Sequence, residues 1–132
     1  MKRLLILPLL LASCSLVPPV PGLRVEGLSV VVRNPLTVPL TGDPARPGNG
    51  PGLVVDGVAI RPDPVAAAWC AEDKAPTAGR VRWTCNLPTV PPGQQLRVAF
   101  QAKAAGAVVN DAQGFAYTSQ SGAVPVPLMP LP

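Results

Sequence analysis

Histidine does not occur anywhere in this chain of 132 residues. Its absence removes the commonest general base and metal ligand, and with them every Ser-His or Cys-His nucleophile arrangement. Aromatic residues are scarce: two Trp, two Phe and one Tyr serve the whole sequence. Charge is thin as well, at 14% of residues, and beyond Arg3 the arginines stand singly at 24, 33, 46, 61, 80, 82 and 97. They show neither the clustering nor the aromatic interleaving of a nucleic-acid surface. There is no phosphate-cradling loop, because Gly48-Asn49-Gly50 is flanked by prolines rather than by a strand and a helix. The carboxylates Asp43, Asp56, Asp63, Glu72, Asp73 and Asp111 show no pairing of the kind glycoside hydrolysis needs, and Glu72-Asp73 lacks the ligand-spaced loop that calcium requires. No metal, no cofactor and no nucleic-acid partner is expected, and the chain reads as a non-enzyme.

What the chain has in abundance is proline and glycine, nineteen and twelve residues, alongside 48% hydrophobic residues. Proline argues against helices, and the apolar residues alternate, so an all-β domain is predicted. Leu23 and Val25, then Leu28, Val30 and Val32, alternate with polar neighbours, and the slip in register at Gly27 suggests a β-bulge. Asn34-Pro35 ends that strand, Thr37 to Leu40 suits a short edge strand, and Gly42 to Gly52 is a loop whose polar tools are Asp43, Arg46 and Asn49. Leu53 to Ile60 fits one strand or a tight hairpin around Asp56-Gly57. Val65 to Cys70 allows a helical turn, and Ala71 to Gly79 reads as a polar loop. Val81, Trp83 and Cys85 share one strand face, which places Trp83 in the core. After the Pro91-Pro92-Gly93 turn, Leu96, Val98, Phe100 and Ala102 make the clearest strand, Val108 to Ser119 a last strand or hairpin, and Val124 to Pro132 a polyproline tail.

The N-terminus carries an address. Lys2 and Arg3 precede an apolar run from Leu4 to Leu11, the charged start and short apolar middle of a secretory signal. Eight residues at 1.5 Å rise would cover roughly 12 Å of a bilayer core about 30 Å thick, too little for a membrane-spanning helix. Leu11-Ala12-Ser13-Cys14 resembles the lipobox of bacterial lipoproteins. The resemblance implies cleavage before Cys14, lipidation of its sulfur and acylation of its new amino group, chains that together hold a protein on a membrane far more firmly than one does. Residues 1-13 are then a signal peptide and 14-22 a lipidated cysteine with a proline-rich tether, leaving a net charge of about +2 in place of +4. By analogy with enteric lipoproteins, Ser15 in place of Asp after the cysteine points to the outer rather than the inner membrane. The protein is expected on the cell envelope, facing the periplasm or exterior.

With Cys14 taken by lipid, Cys70 and Cys85 remain as a pair in an oxidising compartment and should form a disulfide. From Trp83 to Tyr117 the chain is similar to the bacterial immunoglobulin-like surface repeat family. The resemblance rests on Cys85-Asn86-Leu87, Pro92-Gly93-Gln94, the strand Leu96 to Ala102, Gly106 and Asn110-Asp111-Ala112. It implies an immunoglobulin-like two-sheet sandwich over 23-122, followed by a proline-rich tail over 123-132, and a binding or spacing role without catalytic residues. Trp69, Phe115 and Tyr117 are the aromatics left to contact a ligand or partner, although packing in the core is their commoner use. The expectation is therefore a membrane-anchored, non-enzymatic binding or structural module of the envelope, its partners the membrane and another envelope protein or cell-wall component. Two other readings stand beside it: an accessory or assembly lipoprotein of a larger envelope complex, docking through the proline tail, and a cell-wall or glycan-active protein.

Overall fold

Two five-stranded sheets face each other across a core of aliphatic side chains. The computed structural model describes residues 19–46, 48–75 and 77–131. The expected signal segment and the lipidation site Cys14 lie outside the described residues. In chain order the strands are β1 (Gly22–Glu26), β2 (Ser29–Arg33), β3 (Gly52–Val58), β4 (Ile60–Pro62), β5 (Cys70–Asp73), β6 (Val81–Asn86), β7 (Gln95–Ala102), β8 (Val108–Ala116), β9 (Val126–Pro127) and β10 (Met129–Pro130), with one 3-10 turn at Ala66–Ala68. Sheet I has the order β10-β1-β2-β7-β4 and sheet II the order β5-β6-β3-β8-β9. The all-β domain expected from the alternation, and the two-sheet sandwich implied by the resemblance, are thus what the chain forms.

Each sheet contributes its inward face to one core. Leu23, Val30, Val32, Ile60, Val98 and Phe100 come from sheet I, and Leu53, Val55, Cys85, Val109 and Ala116 from sheet II. Leu40, Leu87 and Val90 close it from the connections, where Leu40 and Val90 form an isolated antiparallel bridge. Burying side chains of this kind stabilises by roughly 1.5–3 kcal/mol each relative to exposure. Among the described residues one polar side chain is wholly enclosed: Asn34, at 0% exposure. Its Nδ2 donates to the carbonyls of Val38, Val90 and Pro91 at 2.9, 3.0 and 3.1 Å, and its Oδ1 accepts from the Leu36 amide at 3.0 Å. Asn34 therefore pins the turn that leaves β2 to the turn that leads into β7.

Glycine and alanine at the corners decide the path of the chain. The slip at Gly27 is a two-residue hairpin rather than a bulge: Glu26 pairs with Ser29, and Gly27 takes φ +61° while Leu28 stays at negative φ. A positive φ at the first central residue alone is the type II′ pattern. The bulge lies instead opposite Asp56/Gly57, where Asp56 pairs with Asp111 and Gly57 with Val109, leaving Asn110 of β8 as the extra residue. Leu53 to Ile60 is neither one straight strand nor a hairpin. Ala59 adopts φ +53°, and there the chain leaves sheet II for sheet I.

The helical turn expected between Val65 and Cys70 is the 3-10 turn, started by Asp63, whose Oδ1 accepts the amides of Val65 and Ala66 at 3.0 and 2.8 Å. The segment read as a polar loop from Ala71 begins as strand β5. It pairs Cys70 with Cys85 and Asp73 with Arg82, and the Cys70–Cys85 disulfide joins directly opposite residues with Cα atoms 4.0 Å apart. Trp83 is half-buried against the core near this bond, its indole N–H donating to the Ile60 carbonyl at 3.1 Å.

The proline-rich C-terminus is not a free tail. β9 pairs antiparallel with β8, β10 pairs parallel with β1, and Leu128 between them is 6% exposed and part of the core. The amides of Leu128, Met129 and Leu131 donate to Gly114, Pro21 and Leu23, so the sheets use the tail's N–H groups and leave its prolines where no donor is needed. The sandwich consequently runs on to Leu131, beyond the expected boundary at 122.

Candidate functional site

Phe115 points away from the core because Ala112, Gly114 and Ala116 of β8 take the inward positions, a parity set by the bulge at Asn110. It is 46% exposed. Its strand partner is Gly52, and a Cβ there would come within 2.9 Å of the phenyl Cζ, so the missing side chain lets the ring lie against the sheet. Tyr117 follows at a ring-centroid distance of 6.2 Å and an interplanar angle of 82°, an edge-to-face pair.

The backbone of Tyr117 is fixed by Thr41. Their amides and carbonyls exchange hydrogen bonds of 2.7 and 2.9 Å, and the Thr41 hydroxyl donates to the Tyr117 carbonyl at 3.0 Å. The loop that begins there runs beside the aromatic pair and is stapled down at its far end. Asn86 Oδ1 accepts the Gly50 amide at 2.8 Å, and a side chain at Gly50 would collide with the Leu87 carbonyl. Between loop and rings lies a cleft of about 490 Å³, lined by Asp43, Arg46, Asn49, Asn86, Phe115 and Tyr117 among others. Asp43 is occupied with its own loop, accepting the Ala45 amide at 2.9 Å, whereas Arg46 is exposed and forms no ion pair among the described residues. On the other side of the rings, Phe115, Tyr117, Pro125 and Pro127 enclose an apolar hollow of about 360 Å³.

Compared with known protein families, curated proteins and solved structures, the chain matches none.

Of the three aromatics singled out in the sequence, the structure brings Phe115 and Tyr117 together and sets Trp69 apart. Trp69 packs half-buried against the core at the start of β5, where its carbonyl accepts the Asn86 amide at 2.8 Å. Asp43, Arg46 and Asn49, the polar tools of the loop, do line the cleft. Gly52, Asn86, Pro125 and Pro127 were not legible as site residues, because each reaches Phe115 through strand register rather than through sequence proximity.

The strongest ion pair lies elsewhere on the outer face of sheet II. Arg82 Nε and Nη2 donate to Asp56 Oδ1 and Oδ2 at 2.7 and 3.0 Å, a bidentate pair that holds the Asp56 carboxyl below its ordinary range and raises Arg82. Asp111 stands directly opposite Asp56 across β3 and β8. This brings two carboxylates together, yet a glycosidase acid must hold its proton near neutrality, and Asp56 is pulled the other way. Among the described residues, no group of three or more Cys, Asp or Glu side chains could hold a metal ion.

Proposed function

We propose that the protein is a lipid-anchored, non-enzymatic binding module of the bacterial cell envelope, tethered through Cys14 and holding a cell-wall or envelope component in the cleft beside Phe115 and Tyr117. The observation that carries the binding role is the convergence, at one edge of sheet II, of two edge-to-face rings with Arg46, which has no ion-pair partner among the described residues, and the side-chain amides of Asn49 and Asn86. Aromatic faces take up the flat apolar side of a sugar ring, and planar amide and guanidinium groups bind its hydroxyls or a carboxylate. Leu11-Ala12-Ser13-Cys14 supplies the place.

Two measurements test the proposal separately. Radiolabelled palmitate should enter the protein and be lost with Cys14→Ala; label retained by that variant removes the anchor. Peptidoglycan fragments should bind in calorimetric titration, and Phe115→Ala with Tyr117→Ala should weaken binding at least tenfold, about 1.4 kcal/mol, without moving the melting temperature by more than a few degrees. Unchanged affinity in the double variant removes the cleft.

A further inference from the structure

The arginines that are scattered in sequence are gathered by strand register. In sheet I, Arg24, Val31 and Arg97 form one row across β1, β2 and β7, and Gly22, Arg33 and Gln95 form the next. Arg61 of β4 stands opposite Gln101. Because Val30, Val32 and Val98 point into the core, Arg24, Arg33, Arg61 and Arg97 all belong to the outer face. Val31, on that outer face, is only 3% exposed, flanked by Arg24 and Arg97, which both reach Glu26 at 2.7 and 2.8 Å. Four arginines against this one glutamate make the face basic. The outer face of sheet II is mixed, with Asp56, Asp73 and Asp111 arranged around Arg82 and with Arg80 beside Asp56.

Arg33 and Arg61 have no carboxylate partner among the described residues. Arg33 and Arg24 line a polar recess of about 470 Å³ with Gln94 and Gln95. The chain coming from Cys14 enters sheet I at Gly22, in the same row as Arg33 and Gln95. Eight residues of tether reach at most about 29 Å, so an anchored domain cannot leave the neighbourhood of the lipid surface.

We infer that the outer face of sheet I docks on anionic lipid headgroups, with Arg24 and Arg33 receiving a headgroup phosphate in the recess. This rests on the anchored reading above for its setting, and it turns the Phe115–Tyr117 cleft, on the opposite sheet, away from the membrane. Near an anionic leaflet each arginine strengthens binding about fivefold, and salt screens the attraction.

The test uses the unacylated chain from Ser15 to Pro132, which contains both sheets and the whole core described above, so its outcome is independent of palmitate incorporation. It should co-sediment with vesicles containing phosphatidylglycerol at low salt, detach in about 0.5 M salt, and ignore vesicles of phosphatidylcholine alone. Arg33→Glu with Arg61→Glu should weaken binding by at least about 25-fold, whereas Arg80→Glu, which changes charge at the start of β6 in sheet II, should have a much smaller effect. Equal binding to both vesicle types, or equal loss in the Arg80→Glu control, overturns the assignment. So does salt-sensitive self-association, abolished by the same double variant, in a chain that ignores vesicles, because carboxylates of a second copy would then be the occupant.

Discussion

Replacing Asn34 by Asp changes one heavy atom and should cost the domain much of its stability. The amide Nδ2 donates into three carbonyl oxygens at 2.9–3.1 Å, and the side chain is wholly enclosed. An ionised Asn34→Asp side chain would turn an acceptor toward the carbonyls of Val38, Val90 and Pro91 and bury a charge among them. Each lost hydrogen bond contributes about 1 kcal/mol net; the Val90 and Pro91 carbonyls keep the amides of Leu40 and Gln94, and the Val38 carbonyl, left without a donor among the described residues, costs about 1 kcal/mol more, so a loss of roughly 4 kcal/mol at pH 7 is expected, against a total of about 5–15 kcal/mol for a domain. The pH dependence gives the sharper signature. Burial and the facing carbonyl oxygens favour the protonated form, so the folded pKa of the new carboxyl lies above its unfolded value. The folded state then binds more protons in that interval, and stability falls as pH rises from the unfolded value to the folded one. Urea titrations of wild type and Asn34→Asp from pH 3 to 8 should therefore show the two curves closest at acid pH and widely separated at neutrality. A constant gap, or a loss under 1 kcal/mol at pH 7, would refute the account of Asn34 as the pin between the two turns.

Removing the disulfide by Cys70→Ala with Cys85→Ala should lower stability by about 3 kcal/mol, the chain-entropy value for a closed loop of 15 residues, and an unchanged urea midpoint would contradict it. Arg82→Met should weaken the acid sensitivity of the domain: a depressed Asp56 carboxyl contributes stability above its ordinary value of 3.8 that is lost as pH falls through the lower folded value, so wild type and variant should converge at the acid end. Superimposable losses between pH 6 and pH 2 would dismiss the pair as a stabilising contact. Leu128→Ala should cost about 2–5 kcal/mol and free the amides of Met129 and Leu131 to exchange early, whereas protected amides would mean that the C-terminus is held by its strand pairing alone.

Legibility followed the locality of the cause. β7 was readable because Leu96, Val98 and Phe100 alternate without interruption, and the disulfide because two cysteines remained once Cys14 was set aside. β5 was not readable: Ala71, Glu72 and Asp73 are exposed, and they form a strand because the Cys70–Cys85 bond and the Asp73–Arg82 pairing hold them beside β6. Gly27 and Gly57 both follow an apolar stretch, yet the chain turns back in a hairpin at Gly27 and runs straight on at Gly57, where the bulge belongs to the partner strand at Asn110. The corner at Ala59 left no trace, since alanine rarely takes a left-handed φ and nothing local marks it. At the cleft, the aromatic pair and loop polar groups were visible as residue types, but their meeting depends on Gly52 lying opposite Phe115.

The proline content, which on composition alone borders on that of disordered chains, has a structural use at the margins of the sheets. A sandwich exposes four edges, here β10 and β4 in sheet I and β5 and β9 in sheet II. Three of these carry a proline, at Pro130, Pro62 and Pro127. Proline offers no donor to an incoming strand, so each blunts the template that an open edge would present. The fourth, β5, has only four residues and carries Glu72 and Asp73, the alternative device of charge and shortness. Edge protection matters most where copies are crowded. A direct consequence is that Pro127→Val with Pro130→Val, which restores donors to two edges without enlarging the core, should leave the melting temperature within a few degrees of wild type yet promote concentration-dependent association in light scattering. A variant that stayed monodisperse would show that the prolines serve the path of the C-terminus rather than the isolation of the sheets.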